Sequence, residues 1–266
     1  MPSYFADIDD AFSSCQGCLE EAQDGLADFL SALKTHAANN KPVIINETEA
    51  QTGNQVIKIR LPTPPQILQR KGYRVVVDAR NALDQAMYAA TICIDGKARG
   101  TKTHFPFARD PDDFVTLFGR KGQCRDISRS IIPHLKELEP WWQGQNHMGG
   151  NDVLRTLGKI SGPNKHQVSL APELNIYAIR YNKAIFDRAI KFLFLPSRIG
   201  NTNDFLWAVI APTGNFHYDG HVSHFIGLRD VPNMRGVPAA VALEAMLSAA
   251  VNVIDFVKVR TVEVIG

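Results

Sequence analysis

The N-terminal stretch constrains the fold more than any other part of the chain. Apolar residues recur at Phe5, Ile8, Phe12, Cys15, Leu19, Ala22, Leu26, Phe29 and Leu33. These steps of three and four form one stripe and predict a single long helix over about residues 5–38. A helix that is apolar along one stripe gains its stability by packing that stripe against other elements. Asn39-Asn40-Lys41-Pro42 ends it, because proline has no N–H for the ladder and its predecessor avoids the α region. Residues 42–61 then read as a β-hairpin: Val43 to Thr48, a loop at Gln51-Thr52-Gly53-Asn54, and the alternating run Gln55 to Leu61. Pro62-Thr63-Pro64-Pro65 is a stiff connector. A second long helix is expected from Gln66 or Tyr73 to Thr91.

Shorter helices are predicted near Asp110–Phe118, Asp126–Leu138 and Asp152–Ile160, the last capped by Asn151. After about Gln167 the texture changes. Ile176–Arg180, Lys191–Leu195, Phe205–Ile210 and His217–Leu228 are β-branched or aromatic runs between turn residues and read as antiparallel strands. An alanine-rich helix over about Pro238–Val257 closes the chain. The expected fold is α+β: an N-terminal helical bundle (1–166) with an inserted β-hairpin, then a β-rich antiparallel part (167–266) closed by a C-terminal helix. The two can also form one continuous domain.

Composition narrows the function classes. The 266 residues include 29 basic and 27 acidic side chains, a formal charge of +2, so no whole-molecule field attracts nucleic acid or membrane, although a local patch can. The N-terminus has no secretory pattern. The greasy stretch Val237–Val257 carries Glu244, Asn252 and Asp255, which suits a core helix better than a membrane span. Four scattered cysteines suit a reducing cytoplasm rather than a disulfide framework.

The informative polar segment is Val75 to Tyr88. Helical spacing places Val76, Ala79, Leu83 and Met87 on one apolar face and Arg80, Asp84 and Tyr88 on the stripe beside it. A charged pair at such a border must be matched by hydrogen bonds, and Asp84 can pair with Arg80 one turn earlier. Arg80-Asn81-Ala82-Leu83-Asp84-Gln85 resembles the Arg-Ser-Ala-Leu-Asp-His core of a large bacterial family of uncharacterised function. The order of the Pro-rich connector, Phe105-Pro106-Phe107, Glu139-Pro140-Trp141 and Asn164-Lys165-His166-Gln167 also resembles that family over about residues 5–170. More remotely, the core resembles the Arg-x4–6-His motif of HEPN domains, whose catalytic members cleave RNA, usually as dimers. That likeness implies that Arg80 stabilises phosphorane charge and that a histidine shuttles a proton. Here Gln85 stands at the position of the family's histidine and cannot act as a base; His166, beside Lys165, is the candidate replacement. Arg99…His104 repeats the spacing in a Gly- and Thr-containing loop and reads as coincidence.

Other candidates are weaker. His217, Asp219 and His221 would share one face of a strand and suit a divalent metal such as zinc, unless Asp219-Gly220 makes a hairpin turn. Cys15-Gln16-Gly17-Cys18 lies mid-helix and reads as packing. Trp141-Trp142 reads as a wedge between helices. Arg120, Lys121 and Arg125 form a compact basic patch able to touch phosphates.

Two functions from different classes fit these residues. The first is a degenerate HEPN-like module that binds RNA or a protein partner, acts as a homodimer and needs no cofactor. The second is an enzyme: RNA cleavage by Arg80, Asp84 and His166, or a metal site at His217 and His221. Tyr88, Lys165, Arg120, Lys121 and Arg125 are the expected binding residues.

Overall fold

The computed structural model describes residues 8–97, 100–144, 146–161, 170–229, 231 and 233–266. The stripe read from the N-terminal sequence forms α1 (Ile8–Asn39), with Phe12, Cys15, Leu19, Ala22 and Phe29 buried. Its start, before Ile8, lies outside the described residues. Strands β1 (Val43–Thr48) and β2 (Gln55–Arg60) make the expected antiparallel hairpin. Helix α2 (Gln66–Asp95) follows and ends on Gly96, whose φ of 72° is the left-handed conformation glycine adopts cheaply. The short helices α3 (Pro111–Leu117), α4 (Ile132–Glu137) and α5 (Asp152–Ile160) come next. Strands β3 (Pro172–Phe186), β4 (Ala189–Arg198), β5 (Asp204–Ile210) and β6 (Phe216–Leu228) precede the closing helix α6 (Ala239–Ile265).

Helix α2 is the axis of the bundle. It packs along α1 on one side and α6 on another. Small side chains at Ala79, Ala82, Ala86 and Ala90 are fully buried there and let its neighbours approach. Gly72 lies against Leu243 of α6 and Phe29 of α1, where an added methyl would meet both. Helix α6 is long and apolar enough to cross a membrane by length and composition, yet 44% of its most apolar window is buried inside the fold. Its buried side is a regular stripe (Leu243, Met246, Leu247, Ala250, Val253, Ile254, Val257), as in a core helix.

The strands form a four-stranded sheet in the order β1-β2-β5-β4 and a two-stranded ribbon, β3-β6. The inserted hairpin joins the later strands, since β2 pairs antiparallel with β5 from Gln55–Ile210 to Arg60–Asp204. Elements from before and after residue 166 thus share one sheet and one bundle, joined through a segment, residues 162–169, that is outside the described residues. An aromatic cluster links sheet and ribbon: Phe186 packs on Phe192 at 4.7 Å and on Trp207 at 5.0 Å, and Trp207 meets Tyr218 edge-on at 4.9 Å.

One local expectation is corrected, and one alternative left open is decided. The helix expected over Asp126–Leu138 is helical only from Ile132 to Glu137. An earlier start would put Pro133 inside the helix, where it lacks a donor and clashes with the preceding turn. No turn forms at Asp219-Gly220; β6 runs straight through, with Asp219 opposite Lys183 and Gly220 opposite Tyr181. The glycine serves close approach instead, because a Cβ there would lie 2.2 Å from the Arg180 carbonyl oxygen.

Leu83 is fully buried in the helical core whereas Leu195, on edge strand β4, is 51% exposed. Leu83→Ala is expected to cost about 2–5 kcal/mol, and Leu195→Ala less than about 0.5 kcal/mol. Urea titration of both variants checks this, with midpoints shifting and slopes unchanged.

Candidate functional site

The border stripe of α2 holds the polar residues the helical spacing puts there. Val76, Ala79, Leu83 and Met87 are completely buried, while the side chains of Arg80 and Asp84 keep 15% and 23% exposure. Arg80 turns inward. Its Nε lies 3.6 Å from Asp84 Oδ2, and its Nη1 donates to the Gly158 carbonyl at 3.2 Å and reaches Ser161 Oγ at 3.5 Å. The guanidinium also lies over the Phe107 ring, 5.1 Å from its centre. Gly158 is in the last turn of α5, so Arg80 places a cation where free carbonyls and the helix dipole favour one. Gly158 is also required by space, since a Cβ there would come within 2.3 Å of Phe107.

Asp84 faces the other way. Its Oδ1 accepts the Phe105 backbone N–H at 2.7 Å, and its Oδ2 lies 3.2 Å from His104 Nδ1. This second histidine contact is the main departure from the sequence reading. His104, set aside as part of a chance Arg99…His104 match, is the imidazole that meets the motif; Arg99 itself, like Lys165 and His166, is outside the described residues. The loop reaches Asp84 because Phe105 is fully buried beside Phe107, their ring centres 4.8 Å apart. Cys124 fixes the same loop from below, its Sγ donating to the His104 carbonyl at 3.2 Å. Burial first, then the charge of Asp84 against that of Arg80, pushes the Cys124 thiol up to about 12, so it stays a neutral donor.

Asp84 and His104 line a cleft of about 490 Å³ together with Cys18, Asn81, Gln85, Tyr88, Gly100, Thr101 and Thr103. The His104 side chain is 44% exposed. With Nδ1 turned to Asp84, Nε2 has no hydrogen-bond partner among the described residues. A carboxylate that holds one ring nitrogen and leaves the other to a cleft is the arrangement for moving a proton at Nε2. Gln85 and Tyr88 stand in the same cleft, Gln85 as an amide and Tyr88 as a 41% exposed ring.

The basic turn is joined to this loop. The Asp126 N–H donates to the Lys102 carbonyl at 3.1 Å, and Asp126 Oδ2 accepts the Lys102 N–H at 3.0 Å. Arg120, Lys121 and Arg125 are exposed on the turn; Arg125 Nη1 donates to the Arg120 carbonyl at 3.4 Å, and its Nε is 3.7 Å from Asp126. The expected phosphate-contacting patch therefore lies beside the loop that carries His104.

The remaining candidates sit apart from the cleft. His217, Asp219 and His221 are exposed along β6, and among the described residues no group of three His, Cys, Asp or Glu converges as a metal cluster would. Asp219 instead accepts a bond from Asn182 Nδ2 at 3.5 Å. Cys15 and Cys18 are free thiols on the middle of α1, as expected. Burial pushes Cys15 up to about 11 despite bonds to the backbone, and Cys18 is raised by burial and the charges of Asp78 and Glu21. Neither is a thiolate at neutral pH. Trp141 is buried edge-on to Phe114 of α3 at 5.6 Å, and Trp142 lies under the Arg155 guanidinium of α5 at 5.4 Å, so the pair does bridge helices.

Comparison of the chain with protein-family models, with curated proteins and with solved structures finds no match.

Two predictions come from these surroundings. Gly158→Ala is expected to cost about 1–3 kcal/mol by driving Phe107 off Arg80. The control Gly17→Ala, on the exposed face of α1 with no atom within 4 Å of an added methyl, should stabilise by about 0.5–1 kcal/mol. Thermal melting of both variants checks the opposite signs. The second prediction concerns His224, whose pKa is lowered by burial and by His221 and His36, against a hydrogen bond that its ring donates to the Val222 backbone. His36 is lowered by burial too, and its Nε2 is buried with no partner. Both prefer to be neutral in the fold, so their stabilisation is complete above the unfolded value near 6.5 and is lost as pH falls through the lowered folded value. Stability measured by denaturant at about pH 7.5 and 5.5 should drop at the acid end, and His224→Gln should flatten the drop.

Proposed function

We propose that the chain is a HEPN-like module that binds single-stranded RNA across the Asp84–His104 cleft and cleaves it by proton transfer at His104. The observation that carries this is the 3.2 Å contact between Asp84 and the Nδ1 of a histidine that lines a cleft. In the proposed step His104 Nε2 takes the proton of a ribose 2′-hydroxyl as that oxygen attacks the adjacent phosphorus. The 5′-oxygen of the next nucleotide leaves and takes a proton from water, His104 gives its own proton back to solvent, and a 2′,3′-cyclic phosphate remains. Asp84 keeps the ring oriented and steadies its cation. Arg80 is a positioning residue: it fixes Asp84 from behind and is itself tied to Gly158. Lys102 and the basic turn at Arg120, Lys121 and Arg125 supply phosphate contacts, and Tyr88 offers a ring on which a base can stack. The four free cysteines agree with a reducing, cytoplasmic setting.

Binding without cleavage is the second reading. It is favoured by Gln85, an amide at the position where the resembling family has its histidine.

The deciding experiment incubates a mixed RNA pool with the wild type, His104→Ala and Asp84→Asn. Cleavage with cyclic phosphate ends is expected from the wild type, with the rate lowered about 10²–10⁴-fold in His104→Ala. Intact RNA with wild type, bound in a gel-shift assay, would replace cleavage by the binding reading. Neither cleavage nor binding overturns both. Melting temperatures of the variants separate lost chemistry from lost fold.

A further inference from the structure

Among the described residues Arg155 has no ion-pair partner of its own. It stands on the first half of α5, half-buried, with its guanidinium stacked on the Trp142 ring. Its Nε is buried with no acceptor, and among the described residues the guanidinium makes no hydrogen bond or ion pair. The nearby Trp141 Nε1 is also buried without an acceptor. Burial lowers the Arg155 pKa, Asp113 opposes that, and the like charges of Arg80 and Arg109 add to it. The carboxylate whose charge Arg155 feels is already engaged: Asp113 accepts the Arg109 backbone N–H at 2.9 Å and its Nη2 at 3.0 Å. Asp152, one turn earlier on α5, accepts the Gln143 backbone N–H at 2.9 Å. A half-buried cation left in this state is costly unless an anion completes it.

We infer that Arg155, seated on Trp142, is a phosphate-binding residue that holds a backbone phosphate of the RNA beyond the cleft. This rests on the RNA reading above. A guanidinium accepts two phosphate oxygens at once, and an aromatic ring beneath it steadies the cation without competing for its hydrogen bonds. Gly158, one turn after Arg155 on α5, receives the Arg80 hydrogen bond, and Arg80 contacts Asp84, which contacts His104, so one polar network joins the two regions. In this proposal the reacting phosphate sits at His104 and another phosphate of the same strand at Arg155.

The test uses the whole chain as wild type, Arg155→Ala and Arg155→Lys, in two measurements. The first is thermal melting in inorganic phosphate against chloride at equal ionic strength. The second is binding of a short single-stranded RNA over a range of salt. The expected result is a phosphate-dependent rise in melting temperature for the wild type that disappears in Arg155→Ala and is partly kept in Arg155→Lys. RNA binding should weaken about tenfold in Arg155→Ala, with the salt slope reduced by about one phosphate contact. RNA affinity and slope equal in wild type and Arg155→Ala overturn the subsite while leaving the RNA reading intact. If no variant binds RNA, the RNA reading fails, and the phosphate arm alone decides. A shift that needs Arg155 then keeps the residue as a phosphate site for a smaller ligand, and a shift that ignores Arg155, or none, removes it. Arg155→Lys keeps the charge and the stem, so a folding defect in Arg155→Ala leaves the comparison decisive.

Discussion

The carboxylate of Asp84 does two things at once. It sits one turn after Arg80, at the edge of the helix face that α2 buries against the rest of the bundle. One oxygen takes the backbone N–H of Phe105, which pins an irregular loop to a regular helix. The other oxygen lies between a cation behind it, Arg80, and an imidazole in front of it, His104. A carboxylate at a core border is tolerated only when its oxygens are partnered, and here both are. The loop is held because the charge must be satisfied, and the histidine is oriented because the loop is held. If Asp84 were merely an intrahelical partner for Arg80, one of its oxygens would have no reason to capture a backbone N–H twenty-one residues further along the chain.

The helices were legible because their signals are local. The stripe of α1, the cap at Asn151 accepting the Leu154 N–H at 3.0 Å, and the buried row Val76, Ala79, Leu83 and Met87 all follow from spacing within one element. Long-range partners were not legible in the same way. Alternation in Gln55–Leu61 says which side chains share a face but not that β2 will take β5 as its other neighbour. Strand β3 exceeds the run read from sequence because its stretch past Ile179 is solvent-facing; Asn182 and Lys183, the latter opposite Asp219, carry no apolar pattern to mark a strand. The reach of α6 past Val257 was missed for a similar reason: Lys258, Arg260 and Glu263 break the apolar run but lie on its wet side, Lys258 paired with Asp9 and Arg260 with Glu137 and Glu263.

The candidate site shows the same division. Arg80, Asp84 and Tyr88 were placed correctly because helix geometry alone puts them on one border. His104 was discounted because its neighbours Gly100, Thr101 and Thr103 argue against regular structure, and a loop position is not readable from propensity. A usable signal was present in Phe105-Pro106-Phe107. Two phenylalanines around a proline must be buried, and whatever precedes them is carried to the surface of the helix that buries them. The basic turn was legible as composition, but its place beside the cleft depends on Asp126 bonding the Lys102 backbone in both directions.

Arg80 shows why a motif can keep its residues and exchange their roles. In the family it resembles, an arginine and a histidine on one helix imply a shared chemical step. In this chain Gln85 occupies the histidine position, and Arg80 is drawn inward to the C-terminal carbonyl of α5 and the face of Phe107. An arginine engaged in that way keeps little freedom to follow a developing charge, because its planar fork is already committed. What it still does is fix the position of Asp84, and through it the ring of His104.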